Sequence, residues 1–186
     1  MIILQKIILT KSECELISNR ILEREEEIKD MGEDLYPSTS PNSLTGRHYC
    51  YNLLSYDKDI ENLVRPKLIE IFTDLSYSFP ISIKCWANTF RQDEGIDLHF
   101  HSKHTFLSAN IFLSGPTKPG TTYVIDNREV TYENRIGEFT LFLSNMKHKV
   151  YPNSSDNIRV SMAMDITLSE KIPNEFILTK CQQYFK

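Results

Sequence analysis

Apolar residues recur along this chain with two different periods, and the change from one to the other divides it. Met1 to Leu9 is apolar but interrupted by Gln5 and Lys6. It reads as a first strand, being too short and too broken for a signal sequence or a membrane span. Cys14, Leu16, Ile17, Ile21, Leu22 and Ile28 then keep a helical stripe, and Thr10 and Glu13 have the spacing of a capping box. The pattern predicts a helix from about Lys11 to Met31, with Arg24-Glu25-Glu26-Glu27 as a solvated face. Tyr36 to Gly46 is rich in turn formers (Pro37, Ser38, Ser40, Pro41, Asn42, Ser43, Gly46), which predicts a loop with the makings of a mobile lid. A second helix is expected across about Asp57 to Leu75, where Ile60, Leu63, Val64, Leu68, Ile71 and Phe72 recur at three- and four-residue steps.

From Pro80 onward the period becomes alternating. The expected strands are 81–91, 96–101, 105–114, 121–126, 138–144, 148–152 and 158–166, punctuated by Pro116, Pro119, Gly120, Gly137, Pro152 and Asn153. Helices first and a β-rich body afterwards predict a mainly β fold with flanking helices, namely a double-stranded β-helix (a jelly roll, or cupin-like barrel). Residues 1–186 are expected to form a single domain. Within it, 1–79 supply the first strand, helices and loop that pack on the barrel, 80–168 the barrel itself, and 169–186 a C-terminal extension.

Composition narrows the function classes. A chain of 186 residues with 40% hydrophobic and 25% charged residues suits one soluble globular domain. The net charge of −4 is spread along the sequence without a basic stripe, so nucleic acid is not an expected partner, and no membrane segment is visible. Cys14, Cys50, Cys85 and Cys181 lie far apart with no Cys-x-x-Cys spacing, which points to a reducing cytoplasm and makes the Asn153-Ser154-Ser155 sequon accidental.

Two stretches carry candidate chemistry. In Ile96-Asp97-Leu98-His99-Phe100-His101, alternation puts Asp97, His99 and His101 on one face of a strand and the apolar residues on the other. His148 follows 49 residues after His99, at the start of another short strand. Imidazoles held on a rigid sheet suit iron, zinc, copper or nickel, and three ligands on one side of a metal leave positions open. Either feature alone occurs by chance on solvated strands. In Ile158 to Ile166, however, Arg159, Ser161, Ala163 and Asp165 oppose an apolar face. An arginine in so apolar a strand is costly to bury without a carboxylate, whose two oxygens its planar fork matches. The plain alternative is a solvent-facing arginine paired to Asp or Glu.

The ordered set His99-Phe100-His101, Ala109 to Ser114, Pro119 to Tyr123, Gly137 to Phe142, His148 to Pro152 and Arg159-Val160-Ser161 resembles the iron(II)/2-oxoglutarate oxygenases. It is most similar to their prolyl-hydroxylase-like and small phage or bacterial branches. The resemblance covers about residues 84–166 and places the arginine eleven residues after the distal histidine. It implies that His99 and His148 bind iron(II), that Arg159 and Ser161 hold the distal carboxylate of 2-oxoglutarate, and that oxygen is the co-reactant. Asn88 and Asn110 stand where the family often places polar residues touching the cosubstrate. The Gly120-Thr121-Thr122 turn matches a structural signature with no catalytic role, and Tyr123 is by default packing. Arg47, His48 and Tyr49 are candidates for substrate contact.

The departure from the family is His101, which stands where Asp or Glu is usual. His101 ligates in the carboxylate's place, or stands back and leaves an open position as in related halogenases, or Asp97 supplies the carboxylate. The first account is preferred because His101 occupies the expected position; His104 is expected to be a surface residue or to support the ligands from behind. The reading is a dioxygenase that hydroxylates a small molecule or a side chain with release of succinate and CO2, as a monomer or a homodimer. Halogenation and desaturation are equally open to it. The rivals are a metal cupin of thiol dioxygenase or isomerase type, which shares His-x-His, and a non-catalytic binding module on the same scaffold.

Overall fold

In the computed structural model of the protein, residues 1–35, 40–77, 81–101 and 104–168 are described. The expected C-terminal extension, Cys181 and the Tyr36 to Thr39 part of the loop lie outside them. The chain opens with strand β1 (Ile2–Ile7), followed by helices α1 (Lys11–Glu23), α2 (Glu25–Lys29), α3 (Leu53–Tyr56) and α4 (Lys58–Asp74), with a 3-10 turn at Leu44–Arg47 between α2 and α3. Strands β2 (Ile81–Phe90), β3 (Ile96–His99), β4 (Leu107–Ser114), β5 (Thr121–Ile125), β6 (Arg128–Tyr132), β7 (Glu138–Leu143), β8 (His148–Val150) and β9 (Arg159–Leu168) complete it. Each strand expected from the alternation is present, shortened or extended by a residue or two at its ends.

The strands form two antiparallel sheets, a five-stranded one in the order β1-β7-β4-β9-β2 and a four-stranded one in the order β3-β8-β5-β6. This is a jelly roll, the double-stranded β-helix that the sequence predicts. The larger sheet is covered on both faces. In β9 the even-numbered Val160, Met162, Met164 and Ile166 join the core beneath the helices, together with Ile17 and Ile21 of α1 and Val64, Leu68 and Phe72 of α4. The odd-numbered Arg159, Ser161, Ala163 and Asp165 face a cavity between the sheets. The period-2 pattern of β9 therefore separates an oily layer from a polar one, with both out of bulk water.

Three local readings are corrected. The long first helix breaks at Arg24, and Arg24-Glu25-Glu26-Glu27 is not simply a solvated face. Glu25 is buried, takes two hydrogen bonds from the Arg91 guanidinium and accepts from the Thr89 hydroxyl. Arg24 turns to Asp57 and lies over the Tyr56 ring. These partners are far away in sequence, so a local pattern could not reveal the break. The described part of the expected lid, residues 40–46, is packed into the fold: Ser40, Ser43, Leu44 and Thr45 are buried, and the Leu44 amide donates to the Thr89 hydroxyl. Strand β6 was not expected. It pairs with β5 across Asp126-Asn127, both residues at positive φ (51° and 61°), a two-residue hairpin whose twist matches its strands.

The segment 51–53 also stitches the free side of β2. The Asn52 amide donates to the Ile83 carbonyl and its oxygen accepts from the Cys85 amide, while the Tyr51 hydroxyl accepts from the Ala87 amide. The capping box stands as expected, with Glu13 N–H donating to Thr10 Oγ1 and Thr10 N–H to Glu13 Oε2. Cys14 and Cys85 are buried free thiols and Cys50 is half-buried. Among the described residues, no helix is long and apolar enough to cross a membrane.

Asp57 ties the helical layer together. Its buried carboxylate caps α4 by accepting from the Asp59 and Ile60 amides and pairs with Arg20 and Arg24. Burial pulls its pKa upward, but the hydrogen bonds and charge of Arg20 outweigh it, so the carboxyl sits below its ordinary value of 3.8. Asp57→Asn keeps a capping side chain and loses the ion pairs, a loss of about 1–3 kcal/mol. At roughly 2–4 °C per kcal/mol for a chain of this size, the melting temperature should fall by several degrees at pH 7. A group with a depressed folded pKa stabilises above its unfolded value, so the gap between native and variant protein should close as pH drops below about 4. Thermal melts across pH 3 to 7 measure both effects.

Candidate metal centre

The cavity between the sheets has a volume of 310 Å³ and is lined from both of them. Strands β3 and β8 of the smaller sheet bring histidines to it, because their register makes His99 and His148 direct cross-strand partners. The chain continues past β3 so that His101, whose amide donates to the Ser144 carbonyl, also turns inward. The His99, His101 and His148 nitrogens lie within 4.8 Å of one another. Leu98 and Phe100, two of the three apolar residues of this stretch, are exposed. The imidazoles thus point inward while Leu98 stays in water, although Ile96 and Phe100 also line the cavity. A register irregularity between Ile96 and His99 lets Ile96 share the cavity side, while Asp97 is exposed and lies outside the cluster.

Hydrogen bonds behind the rings fix how each histidine presents itself. Nδ1 of His99 lies 2.8 Å from the Asp97 carbonyl, Nδ1 of His148 lies 2.9 Å from the Met146 carbonyl, and Nδ1 of His101 lies 2.5 Å from Asp165 Oδ1. Carbonyl and carboxylate oxygens only accept, so each Nδ1 carries a hydrogen and each ring turns its Nε2 inward. The Nε2 atoms of His101 and His148 come to 3.4 Å. Burial, ahead of the neighbouring His99 and His101, pushes the pKa of His148 down to about 3, and burial likewise lowers that of His99. Three Nε2 atoms gathered at one wall, two of them on rings whose pKa burial lowers, are donors that a divalent cation could share. The donor set fits a borderline transition metal, and oriented rings of this kind are the usual setting for one.

On the opposite wall lies Arg159, 4% exposed. Its terminal nitrogens donate to the Pro119 carbonyl (3.1 Å) and the Thr121 hydroxyl (3.4 Å), its Nε is buried without a partner, and it lies against the Phe112 ring. Among the described residues no carboxylate pairs with it, which excludes the solvent-facing arginine considered from sequence. Burial lowers its pKa to about 10. Gly115, at φ +100°, lets the turn after β4 pass so close that a Cβ there would sit 2.6 Å from the Arg159 Cα. Ser161 lines the same wall.

Asn88 and Asn110 also line the cavity; Asn88 Oδ1 accepts from the Thr45 hydroxyl, and Asn110 Nδ2 donates to the Tyr123 hydroxyl. Tyr123 is buried against His148 and Phe142, which agrees with packing. Of Arg47, His48 and Tyr49, only His48 reaches the cavity. Arg47 is held by Asp34, Lys29 and Ser43, and Tyr49 donates to the Glu33 carbonyl. His104 is exposed and outside the cluster. Residues the sequence did not single out are Lys84, Trp86, Asn134 and Thr121. Lys84 and Trp86 alternate with the buried Ile83, Cys85 and Ala87 in β2, so the two-residue period could have marked them.

No protein-family model matches the chain, and no curated protein matches it in sequence. Solved structures match it in shape. A nickel complex of the non-haem monooxygenase ThoJ superposes with a TM-score of 0.64 at 12% identity, over 90% of this chain and 73% of that one. A prolyl-4-hydroxylase from Pseudomonas putida gives 0.58 at 14% identity, over 89% and 87%. The alpha-ketoglutarate-dependent epimerase SnoN of nogalamycin biosynthesis gives 0.63 at 16%, over 89% and 76%. The chain has the double-stranded β-helix fold of the 2-oxoglutarate and iron(II) oxygenases, and at these identities the likeness is one of fold.

Two outcomes follow from the geometry. Cobalt(II) or iron(II) bound to the purified protein should survive desalting, and His99→Ala or His148→Ala should abolish that retention while His104→Ala preserves it; metal analysis of each variant decides. Equal metal content in all of them overturns the cluster as a binding site. Arg159→Met should raise the melting temperature of the metal-free protein by several degrees, because a guanidinium whose pKa is lowered from 12.5 to about 10 destabilises the fold by about 3 kcal/mol.

Proposed function

We propose that the protein is a non-haem iron(II)- and 2-oxoglutarate-dependent oxygenase that hydroxylates a small molecule or a side chain. The observation that carries this reading is the presence, in one cavity, of converging imidazole nitrogens and a buried guanidinium that lacks an anion among the described residues. Either alone has other uses; a dicarboxylate that binds a metal through one end and an arginine through the other requires both.

His99, His101 and His148 would hold iron through their Nε2 atoms. Bound there with 2-oxoglutarate and oxygen, iron supplies the oxidising power for hydroxylation, with succinate and CO2 as the other products. Arg159 would take the distal carboxylate, with the Ser161 hydroxyl adding a donor, and Thr121 and the Pro119 carbonyl keep the guanidinium in position. Charge-assisted hydrogen bonds of this kind are strong in a site shielded from water, and Phe112, Phe142 and Ala163 line that site with hydrocarbon. Asn88 retains its amide nitrogen and Asn110 its amide oxygen for the cosubstrate. A cavity of 310 Å³ lies at the low end of the roughly 300–1,000 Å³ range of small-molecule sites, so the substrate or the part of it that enters is small.

A second reading has one observation in its favour: the cluster contains three imidazoles and no carboxylate, as a metal cupin of thiol dioxygenase type could use. Arg159 speaks against it. Succinate should form only with both iron(II) and 2-oxoglutarate present. Arg159→Ala should raise the 2-oxoglutarate concentration needed by roughly 10- to 100-fold, the loss of a charge-assisted hydrogen bond worth about 1.5–3 kcal/mol. Tight metal binding with indifference to 2-oxoglutarate would favour the cupin, and 2-oxoglutarate binding without succinate the binding module.

A further inference from the structure

We infer that Asp165 is a positioning residue that returns, through His101, the negative charge this metal site lacks in direct contact. The inference rests on the three histidines binding a divalent cation. Such a cation held by neutral imidazoles alone keeps its full charge in a cavity that also holds the uncompensated Arg159 guanidinium. The carboxylate that would reduce it is absent from position 101, and Asp97 faces solvent. Among the described residues, Asp165 is the carboxylate that lines the cavity.

Its placement is specific. On β9 it lies on the cavity side with Arg159, Ser161 and Ala163, and its Oδ1 lies 2.5 Å from His101 Nδ1. The other two rings rest on main-chain carbonyls, which are dipoles; His101 alone rests on a full charge. A carboxylate behind an imidazole pulls on the Nδ1 proton and makes Nε2 a stronger donor, so ring and carboxylate together act as a partly anionic ligand. The His101 side chain is 9% exposed and that of Asp165 23%, so water screens the contact little.

Other charged groups face Asp165. Lys84 is its direct partner in the β2–β9 register, and the attraction of Asp165 opposes the lowering of the Lys84 pKa by burial. Lys84 also provides a rival explanation, that Asp165 serves only to neutralise the lysine. His48 and His99 are within its electrostatic reach as well.

The test is cobalt(II) affinity, which needs neither 2-oxoglutarate nor turnover, measured in the whole chain with and without the family's usual carboxylate at position 101. Asp165→Asn should weaken cobalt binding roughly 10- to 100-fold in the native background, the range seen when a supporting partner of a metal ligand is removed. It should also shift the cobalt visible absorption. In the His101→Asp background, where a carboxylate binds directly, Asp165→Asn should change affinity less than about threefold, and Lys84→Met should do likewise in the native background. Melting curves of the metal-free proteins identify any variant that has lost its fold, and Asp165→Ser then takes the place of Asp165→Asn. Equal losses in the two backgrounds, or no loss in the native one, overturn the role of Asp165 and leave the oxygenase reading standing. Failure of the native protein to bind cobalt overturns both.

Discussion

A sheet covered on both faces has nowhere to hide a polar side chain, and that constraint organises this molecule. On the helix side of the larger sheet the requirement is met by hydrocarbon, from Ile83 and Cys85 of β2 to Met162 and Met164 of β9. On the cavity side the same strands present Lys84, Asn88, Asn110, Arg159, Ser161 and Asp165. Buried polar groups need partners. Some find them within the protein, as Asn88 does in Thr45. Among the described residues the Arg159 guanidinium finds only neutral oxygens, and its Nε finds none. What is left unsatisfied suits an anion at the Arg159 wall and a cation at the histidine wall.

The cation wall depends on main-chain geometry as much as on histidine content. Pairing of β3 with β8 sets His99 beside His148, and the carbonyls of Asp97 and Met146 fix which nitrogen of each ring is free. These acceptors lie two residues before their histidines in the chain, so each ring is oriented by its own local backbone. His101 differs, since its support comes from the other sheet. Among the described residues the cluster is therefore joined across the cavity by the His101–Asp165 contact, and the two sheets jointly determine where the imidazoles point.

Much of this was legible in the sequence because it follows from short-range rules. Alternation in β9 separated Arg159 and Ser161 from Val160 and Met162, and the Thr10 to Glu13 spacing gave the start of the first helix. Misreadings arose where distant groups decide. The break at Arg24 reflects Asp57 and Arg91, and the packing of residues 40–46 reflects Thr89 and Asn88. Asp126-Asn127 is a weaker hairpin signal than a pair containing glycine, and β6, exposed along most of its length, has no alternation of burial to mark it. Thr121 looked structural and does hold structure, yet what it holds is Arg159. Asp165 stood in plain view on the arginine's face, but its contact with His101 runs across the cavity, from the segment after β3 to β9, and no local pattern shows it.

The stitching along β2 has an effect beyond the fold itself. Strands at the rim of a sheet expose donors and acceptors that can recruit a strand from another molecule, a common origin of aggregation. Here Asn52 and Tyr51 occupy successive main-chain groups of β2 at Ile83, Cys85 and Ala87. Side chains thus occupy the template, and edge-to-edge addition is blocked along that border without a proline having to interrupt the strand.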